Sequence, residues 1–564
     1  MTETAEISAE QLIEKHAPTL EAILAANAER RYWSPFAEVP KAYGENAIAE
    51  GKEAFESYLD ARFPLEQAAT VGWAGEEVSP YGRRLGVTYP VADTDRLLAA
   101  MGEAMVAWRD VGVDVRAAVV IEILVRINAR STEIAQAVMH TTGQAPAMAF
   151  QAGGPHAQDR GLEAVGWAVA EMVRVPAVAD WAKPQGKRPP LKLRKRFTVA
   201  PRGIALVIGC NTFPTWNGYP GLFASLVCGN PVLVKPSTGA ILPLAITVAI
   251  AREVLAEFGF SADLVALAVG APGQRIATDL ARRPEVKLID FTGSSEFGDW
   301  LEREATQAVV FTEKAGVNVV LVDSTDDYKG MLANLAFTLS LYSGQMCTTT
   351  QNLLVPRGGI ETDQGHKSFV EFGADLAAAI EGLLGDDGRA SAILGAISGD
   401  AILRRLESSA ELGEVVLGSR RIEHPEFPEA EVRTPTLIAL TGPEDPAAAV
   451  EQFGPISFLV PCASTADAVA QLRRGVQAHG AITAGVYSTS EETLAAAEAA
   501  ALDAGVALSC NLTGGVYVNQ SAAYSDFHGT ALNPAGNAAL TDAAFVAPRF
   551  GVVQVRRHVD DGEE

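Results

Sequence analysis

Cys347, in Ser343-Gly-Gln-Met-Cys347-Thr, and Asn211, in Gly209-Cys-Asn-Thr-Phe-Pro214, are residue types that can act together on a carbonyl carbon. A cysteine thiolate is a strong nucleophile, and its attack on an aldehyde gives a thiohemiacetal whose oxyanion needs donors already in place. The Asn211 side-chain amide and the Cys347 backbone N–H are donors of that kind. Loss of hydride to a nicotinamide then leaves a thioester on the sulfur. Glu313 stands 34 residues before Cys347 at the end of an apolar run. Gly293-Ser294, with Gly298 after them, open a helix, where backbone N–H groups can face a diphosphate and glycine permits close approach. Lys235 ends a further apolar run, and Glu451-Gln-Phe453-Gly-Pro reads as a turn. No Gly-x-Gly-x-x-Gly follows a strand, so the common dinucleotide fingerprint is absent.

The elements that must carry these residues alternate. Short apolar runs at 204–208, 232–234, 264–269 and 286–291 are separated by helical stretches at 216–228, 242–258, 274–283 and 295–307, a pattern that predicts a parallel sheet covered on both faces. Ligands in such sheets sit at the carboxyl ends of the strands, where 209–214, 235–238 and 291–294 fall. A second alternating series begins at 317–322 with helices near 328–341 and 367–384 and reads as a second α/β unit. Residues 1–92 are expected to form a helical extension, with Pro18 dividing a segment at 8–17 from one at 19–29, and 93–140 to form a pair of long amphipathic helices. The tail at 549–556 reads as a final strand in need of a partner edge, which the segment near 185–200 would supply, within or across subunits.

With 564 residues and 48% hydrophobic content, the chain has room for about two to four domains. No apolar run is long enough to span a bilayer and the first residues lack the pattern of an export signal, so no membrane partner is expected. Five cysteines, without any Cys-x-x-Cys pair, suggest neither a disulfide framework nor a metal centre and fit a reducing, cytoplasmic setting. Cys210, Cys228, Cys462 and Cys510 lie in or beside apolar runs and read as structural. A formal charge of −24 speaks against nucleic acid as a partner. The exception is 183–196, which carries seven basic residues and no acid. It reads either as exposed strands whose charges discourage aggregation or as a surface for an anionic partner.

Taken in order, Asn211, Lys235, Gly293-Ser294, Glu313, Cys347 and Glu451 resemble the signature residues of the aldehyde dehydrogenase superfamily over residues 95–558. The wording around Glu313-Lys-Ala-Gly-Val-Asn318 is more similar to phenylacetic acid degradation proteins of the PaaN type. The resemblance implies an α/β fold with two parallel-sheet Rossmann-like domains and a small β oligomerisation flap. The boundaries it suggests are an extension at 1–92, a cofactor domain at 93–312 interrupted by flap strands at about 183–200, a catalytic domain at 313–530 and a tail at 531–564. It makes Glu313 the general base that directs water onto the thioester, Lys235 a ligand of the adenosine ribose, and Glu451 and Phe453 the residues at the nicotinamide ribose and ring. Thr238 stands where many NAD-preferring members carry a glutamate. Lacking that negative charge, the site should accept NADP as well as NAD, with NADP preferred. The chain departs from the family pattern at Cys210, at Lys314-Ala315 after the general base, and in the loop Asn519–Gly529, which only loosely matches the family's Pro-Phe-Gly-Gly segment.

The function so implied is NAD(P)-dependent oxidation of an aldehyde to its acid. The substrate suggested by the PaaN-type resemblance is a semialdehyde carrying a coenzyme A thioester, formed by ring cleavage in phenylacetate degradation. No ring-hydrolase unit is expected, and a homodimer or dimer of dimers is. Two alternatives stand beside it. A coenzyme A-acylating dehydrogenase would pass the acyl group to a thiol instead of water, and usually lacks the glutamate. An inactive relative would serve as a binding subunit without turnover.

Overall fold

The computed structural model describes residues 8–559 apart from 272 and 315. Two sheets dominate it. The first is parallel and five-stranded: β1 (Ile204–Ile208), β2 (Val232–Lys235), β3 (Val265–Leu267), β4 (Val286–Gly293) and β5 (Val309–Lys314), in the order β3-β2-β1-β4-β5. The second has seven strands: β6 (Asn318–Val322), β7 (Thr350–Pro356), β8 (Glu414–Leu417), β9 (Thr436–Ala439), β10 (Ile456–Cys462), β11 (Thr483–Tyr487) and β12 (Ala507–Cys510). Its order is β8-β9-β10-β7-β6-β11-β12, parallel except for the antiparallel edge β8. The strands β1, β6, β7 and β10 are buried throughout, as their mainly apolar sequences require for sheets covered on both faces, although β7 opens on the polar Thr350-Gln-Asn352. The expected boundary at 312/313 falls inside β5, so Glu313 is carried on the edge of the first sheet, next to the turn into the second.

The N-terminal layer differs from its sequence reading. Ala9–Glu29 is one helix with Pro18 inside it, opened by a Ser8/Gln11 capping box. An interior proline costs about 3 kcal/mol, and a continuous face of Leu12, His16, Ile23 and Ala26 buried against the helices Val113–Ala129 and Pro155–Met172 offsets it. The same segment carries a two-stranded sheet, Thr70–Ala74 with Tyr89–Ala92. Residues 94–142 form three helices instead of two, Thr94–Asp110, Val113–Ala129 and Ser131–Thr142, because Gly112 takes φ 87° and Arg130 breaks the second from the third.

Glu122 clamps this layer. Its side chain, 1% exposed, meets Lys15 Nζ at 2.6 Å, His16 Nε2 at 2.7 Å and Arg126 Nε at 2.7 Å. The His16 hydrogen bond, then those from Lys15 and Arg126, overcome burial and hold the carboxyl at about 2 against an ordinary 4.5. A depressed folded-state value means that the stabilisation is complete above the unfolded value and is lost as pH falls towards the folded one. Glu122→Gln is therefore expected to destabilise the protein by about 3 kcal/mol near neutrality, as for other broken buried pairs. The gap in thermal midpoint between variant and parent should close as the pH is lowered from 4.5 towards 2; a gap independent of pH would sink the assignment.

The tail strand Phe550–His558 pairs antiparallel with Arg188–Pro201, which pairs with Val178–Gln185, and all three belong to one chain. The basic segment thus lies in an exposed three-stranded sheet, with Arg194 on Asp180 and Lys195 over the Trp181 ring. Arg549, fully buried, anchors the tail through two bonds to Asp290 at 2.6 and 2.8 Å.

Candidate active site

The loop that presents Cys347 is held in an unfavourable backbone. Tyr342, Ser343 and Gly344 take φ of 53°, 50° and 64° in succession. Each non-glycine residue there costs about 1–3 kcal/mol, and buried bonds maintain the shape: Tyr342 Oη donates to Thr142 O, and Ser343 Oγ to Arg433 O. A Cβ on Gly344 would stand 2.3 Å from Gly454 O, so only glycine lets the cysteine loop lie against the Glu451–Pro455 turn. Asn318 Nδ2 donates to Cys347 O at 2.7 Å and to Thr349 O at 3.0 Å, pinning the nucleophile's backbone to the start of β6.

At the end of β5, the Glu313 carboxylate accepts from Asn217 Nδ2 at 3.1 Å and lies 3.0 Å from His528 Nε2. That imidazole nitrogen is 3.9 Å from Cys347 Sγ, and one ligand atom from each of Glu313, Cys347 and His528 lies within 4.8 Å of the other two. Burial alone would raise the Glu313 pKa, but the His528 charge and hydrogen bond, with smaller help from Cys347 and Asn217, hold it below its ordinary value. The Cys347 thiol is pushed well up, first by burial and then by the Glu313 charge and hydrogen bond. Glu451 adds to that effect and is itself raised to about 7, by burial against a backbone bond from Gly316 and the Arg405 charge. Arg405 also holds the turn, donating to Gln452 O and Phe453 O.

A cleft of about 590 Å³ lies beyond the carboxyl ends of β2 and β4. Lys235, Thr238 and Ser294 line it, with Arg275 and Arg303. Burial pushes the Lys235 pKa down. Ser294 caps the helix Ser295–Glu304 through Phe297 N. Gly298 stands behind the cleft, where a Cβ would meet Lys314 Cγ at 2.6 Å, and a Cβ on Gly293 would meet the Phe291 ring. Lys314 is bound to Asp299 and Glu302; Ala315 lies outside the described residues. The donor set suits a dinucleotide: a lysine for ribose hydroxyls, a helix N-terminus and two arginines for phosphate.

Cys347 and Glu313 therefore meet, while Asn211 turns its Oδ1 to Ser237 Oγ at 3.1 Å and lies against Gly239. The carboxamide that reaches the Cys347–Glu313 group is Asn217, which the sequence reading missed, as it missed His528 and Asn318. Asn217 follows a tryptophan at the start of the helix Pro214–Val227, and Phe527-His528-Gly529 lies in the loop that departs from the family pattern; those were the available signals.

The chain resembles the crystal structure of an NAD-dependent aldehyde dehydrogenase from Burkholderia multivorans at 54% identity, with a TM-score of 0.96 over 97% of this chain and 99% of that one. A Thermus 1-pyrroline-5-carboxylate dehydrogenase with bound NAD shares the fold at 19% identity, with a TM-score of 0.70 over 94% of this chain and all of that one. N-succinylglutamate 5-semialdehyde dehydrogenase of Burkholderia mallei is 27% identical over 392 residues, 67% of this chain and 74% of that protein. The family model described as the aldehyde dehydrogenase family matches residues 77–527. With that span and that fold around a cysteine and a glutamate in contact, the chain belongs to the aldehyde dehydrogenase family.

Proposed function

We propose that this enzyme oxidises an aldehyde to a carboxylic acid with NAD or NADP, through a thiohemiacetal and a thioester on Cys347. The contact between the Cys347 thiol and the Glu313 carboxylate carries the reading, because it places a base beside the sulfur on which the acyl group would rest. A nicotinamide dinucleotide, when bound, supplies the hydride acceptor. Lys235, Thr238, Gly293, Ser294 and Gly298 would hold its adenosine and diphosphate side, and Glu451 and Phe453 its nicotinamide ribose and ring. The Cys347 backbone N–H and Asn211 would bind the oxyanion. The Ser237 bond to Oδ1 fixes which end of that amide can donate. Glu313 would then take a proton from water as it attacks the thioester. Because Glu313 is present, release to water is favoured over transfer to coenzyme A.

The substrate we propose is a semialdehyde bearing a coenzyme A thioester, as in PaaN-type phenylacetate degradation. The resemblance around Glu313–Asn318 supports it, and N-succinylglutamate 5-semialdehyde, for which curated relatives are named, is its rival. Assaying both compounds with a panel of simple aldehydes, by NADH and NADPH formation and by product analysis, tests the reading. Preference for the thioester with a free acid as product supports it. An acyl-CoA formed from free coenzyme A would instead favour the acylating mechanism, and turnover confined to the rival would remove the pathway assignment. The exposed flap sheet is proposed as the contact of a homodimer or dimer of dimers, and a monomeric mass in solution would count against it.

For the cofactor, one relative is named NAD-dependent, whereas Thr238, Arg275 and Arg303 in the cleft of this chain support NADP as well. Thr238→Glu would set a negative charge beside a 2′-phosphate. It is expected to lower kcat/KM for NADP by on the order of 10- to 100-fold while sparing NAD. An unchanged NADP-to-NAD ratio would place the ribose hydroxyls elsewhere.

A further inference from the structure

The cleft read above as the dinucleotide site has two walls whose backbone lacks partners of its own. One is the turn into the helix Leu242–Glu257, which brings Thr238 and Ile241 to the cleft. The residue at the helix start is Ile241, whose side chain cannot bond the free N–H groups there. The other wall is the end of β3, after which Ala268, Val269 and Gly270 line the cleft. β3 is an edge of the first sheet. Ala268 N bonds inward to Val234 O at 2.8 Å, so Leu267 N and O face outward, with no strand beside them among the described residues.

Side chains from the stretch 67–77 fill both gaps. Glu77, 2% exposed, accepts from Ile241 N at 2.6 Å and from Leu242 N at 3.1 Å through one carboxylate oxygen, while the other takes the Tyr89 hydroxyl. Gln67, 9% exposed, donates to Leu267 O at 2.9 Å and accepts from Leu267 N at 2.6 Å, so that one carboxamide stands in for a neighbouring strand. Arg252, on the same helix, joins the two walls by donating to Glu66 O, Ala262 O and Val265 O, each at 2.8 Å. We propose that Glu77 and Gln67 are positioning residues for the dinucleotide, fixing from behind the two walls that receive its adenosine half; this rests on the reading of the cleft as the cofactor site.

Neither side chain lines the cleft, so each acts through backbone that does. A carboxylate on the first N–H groups stabilises a helix start, where the dipole also favours negative charge. Without it the first turn frays, and the Thr238–Ile241 wall moves with it. The sheet edge behaves alike: deprived of Gln67, the N–H and carbonyl of Leu267 are left buried without a partner, and the strand end turns towards water to satisfy them. A dinucleotide then meets walls that it must order as it binds, which lowers its affinity. The reaction centre is spared, because Cys347 precedes β7 of the second sheet.

Calorimetric titration of the full chain with NADH and with ADP-ribose, which lacks the nicotinamide, tests this without turnover. Glu77→Ala and Gln67→Leu are each expected to raise the Kd for both ligands by about 10-fold. Glu77→Gln keeps an oxygen for the two N–H groups and should stay near the parent. In the aldehyde assay the same loss should appear in KM for the cofactor and not in kcat. Lys235→Ala, inside the cleft, serves as the reference. If it weakens ADP-ribose binding while Glu77→Ala and Gln67→Leu bind as the parent does, the proposal is overturned and the cleft reading stands. If Lys235→Ala leaves ADP-ribose binding unchanged, the cleft reading itself fails. A loss confined to NADH would also overturn the proposal, because both walls lie on the adenosine side. Should Glu77→Ala not fold, Gln67→Leu decides on the same readings.

Discussion

Cys347→Ala is expected to abolish aldehyde-dependent formation of NADH or NADPH, with a loss on the order of 10⁶-fold as for other removed nucleophiles. The other four cysteines cannot take its place. Cys228 and Cys462 are fully buried, Cys510 stands at the exposed edge strand β12, and the Cys210 thiol is bonded to Asn217 Oδ1, with burial pushing its pKa up to about 12. Dinucleotide binding should survive, because the cleft of Lys235, Thr238 and Ser294 lies on the first sheet while Cys347 precedes β7 of the second. Titration of NADH fluorescence on the variant separates the two. Residual turnover above background would remove Cys347 from the mechanism.

Glu313→Gln should act on a different step. Glutamine keeps one of the two acceptor oxygens that meet Asn217 and His528 but cannot accept a proton from water, so release of the acyl group is expected to slow by about 10²–10⁴-fold. The first turnover would still produce reduced cofactor. A stoichiometric burst followed by a stall, with an acyl adduct on Cys347 by mass spectrometry, is the expected outcome; a proportional loss in both phases would assign Glu313 to the first step. Because the His528 charge keeps the Glu313 carboxyl below its ordinary 4.5, the base stays ionised down to acid pH.

The N-terminal layer acquires a purpose from the same contacts. The loop 521–528 carries the imidazole, and Arg30 and Trp33, at the end of the first helix and just beyond it, pack onto that loop. The Glu122 clamp ties the helix down near its other end, so loosening the clamp is expected to disturb the site as well as the stability of the layer.

The sequence by itself determined the alternation of buried runs and helices that builds two parallel sheets, and it placed Glu313, Lys235 and Ser294 at strand ends. Those features follow from local periodicity and from short motifs, each legible within one element. Only the tertiary structure decided which side chains share the reaction centre. His528 lies 181 residues from Cys347 and 215 from Glu313, and Asn217 lies 96 residues before Glu313, so no local pattern links them. The turn of Asn211 towards Ser237, the continuation of the first helix through Pro18 and the pairing of the tail within its own chain depended equally on partners far along the sequence. In each case packing between distant elements outweighed a local preference worth a few kcal/mol at most.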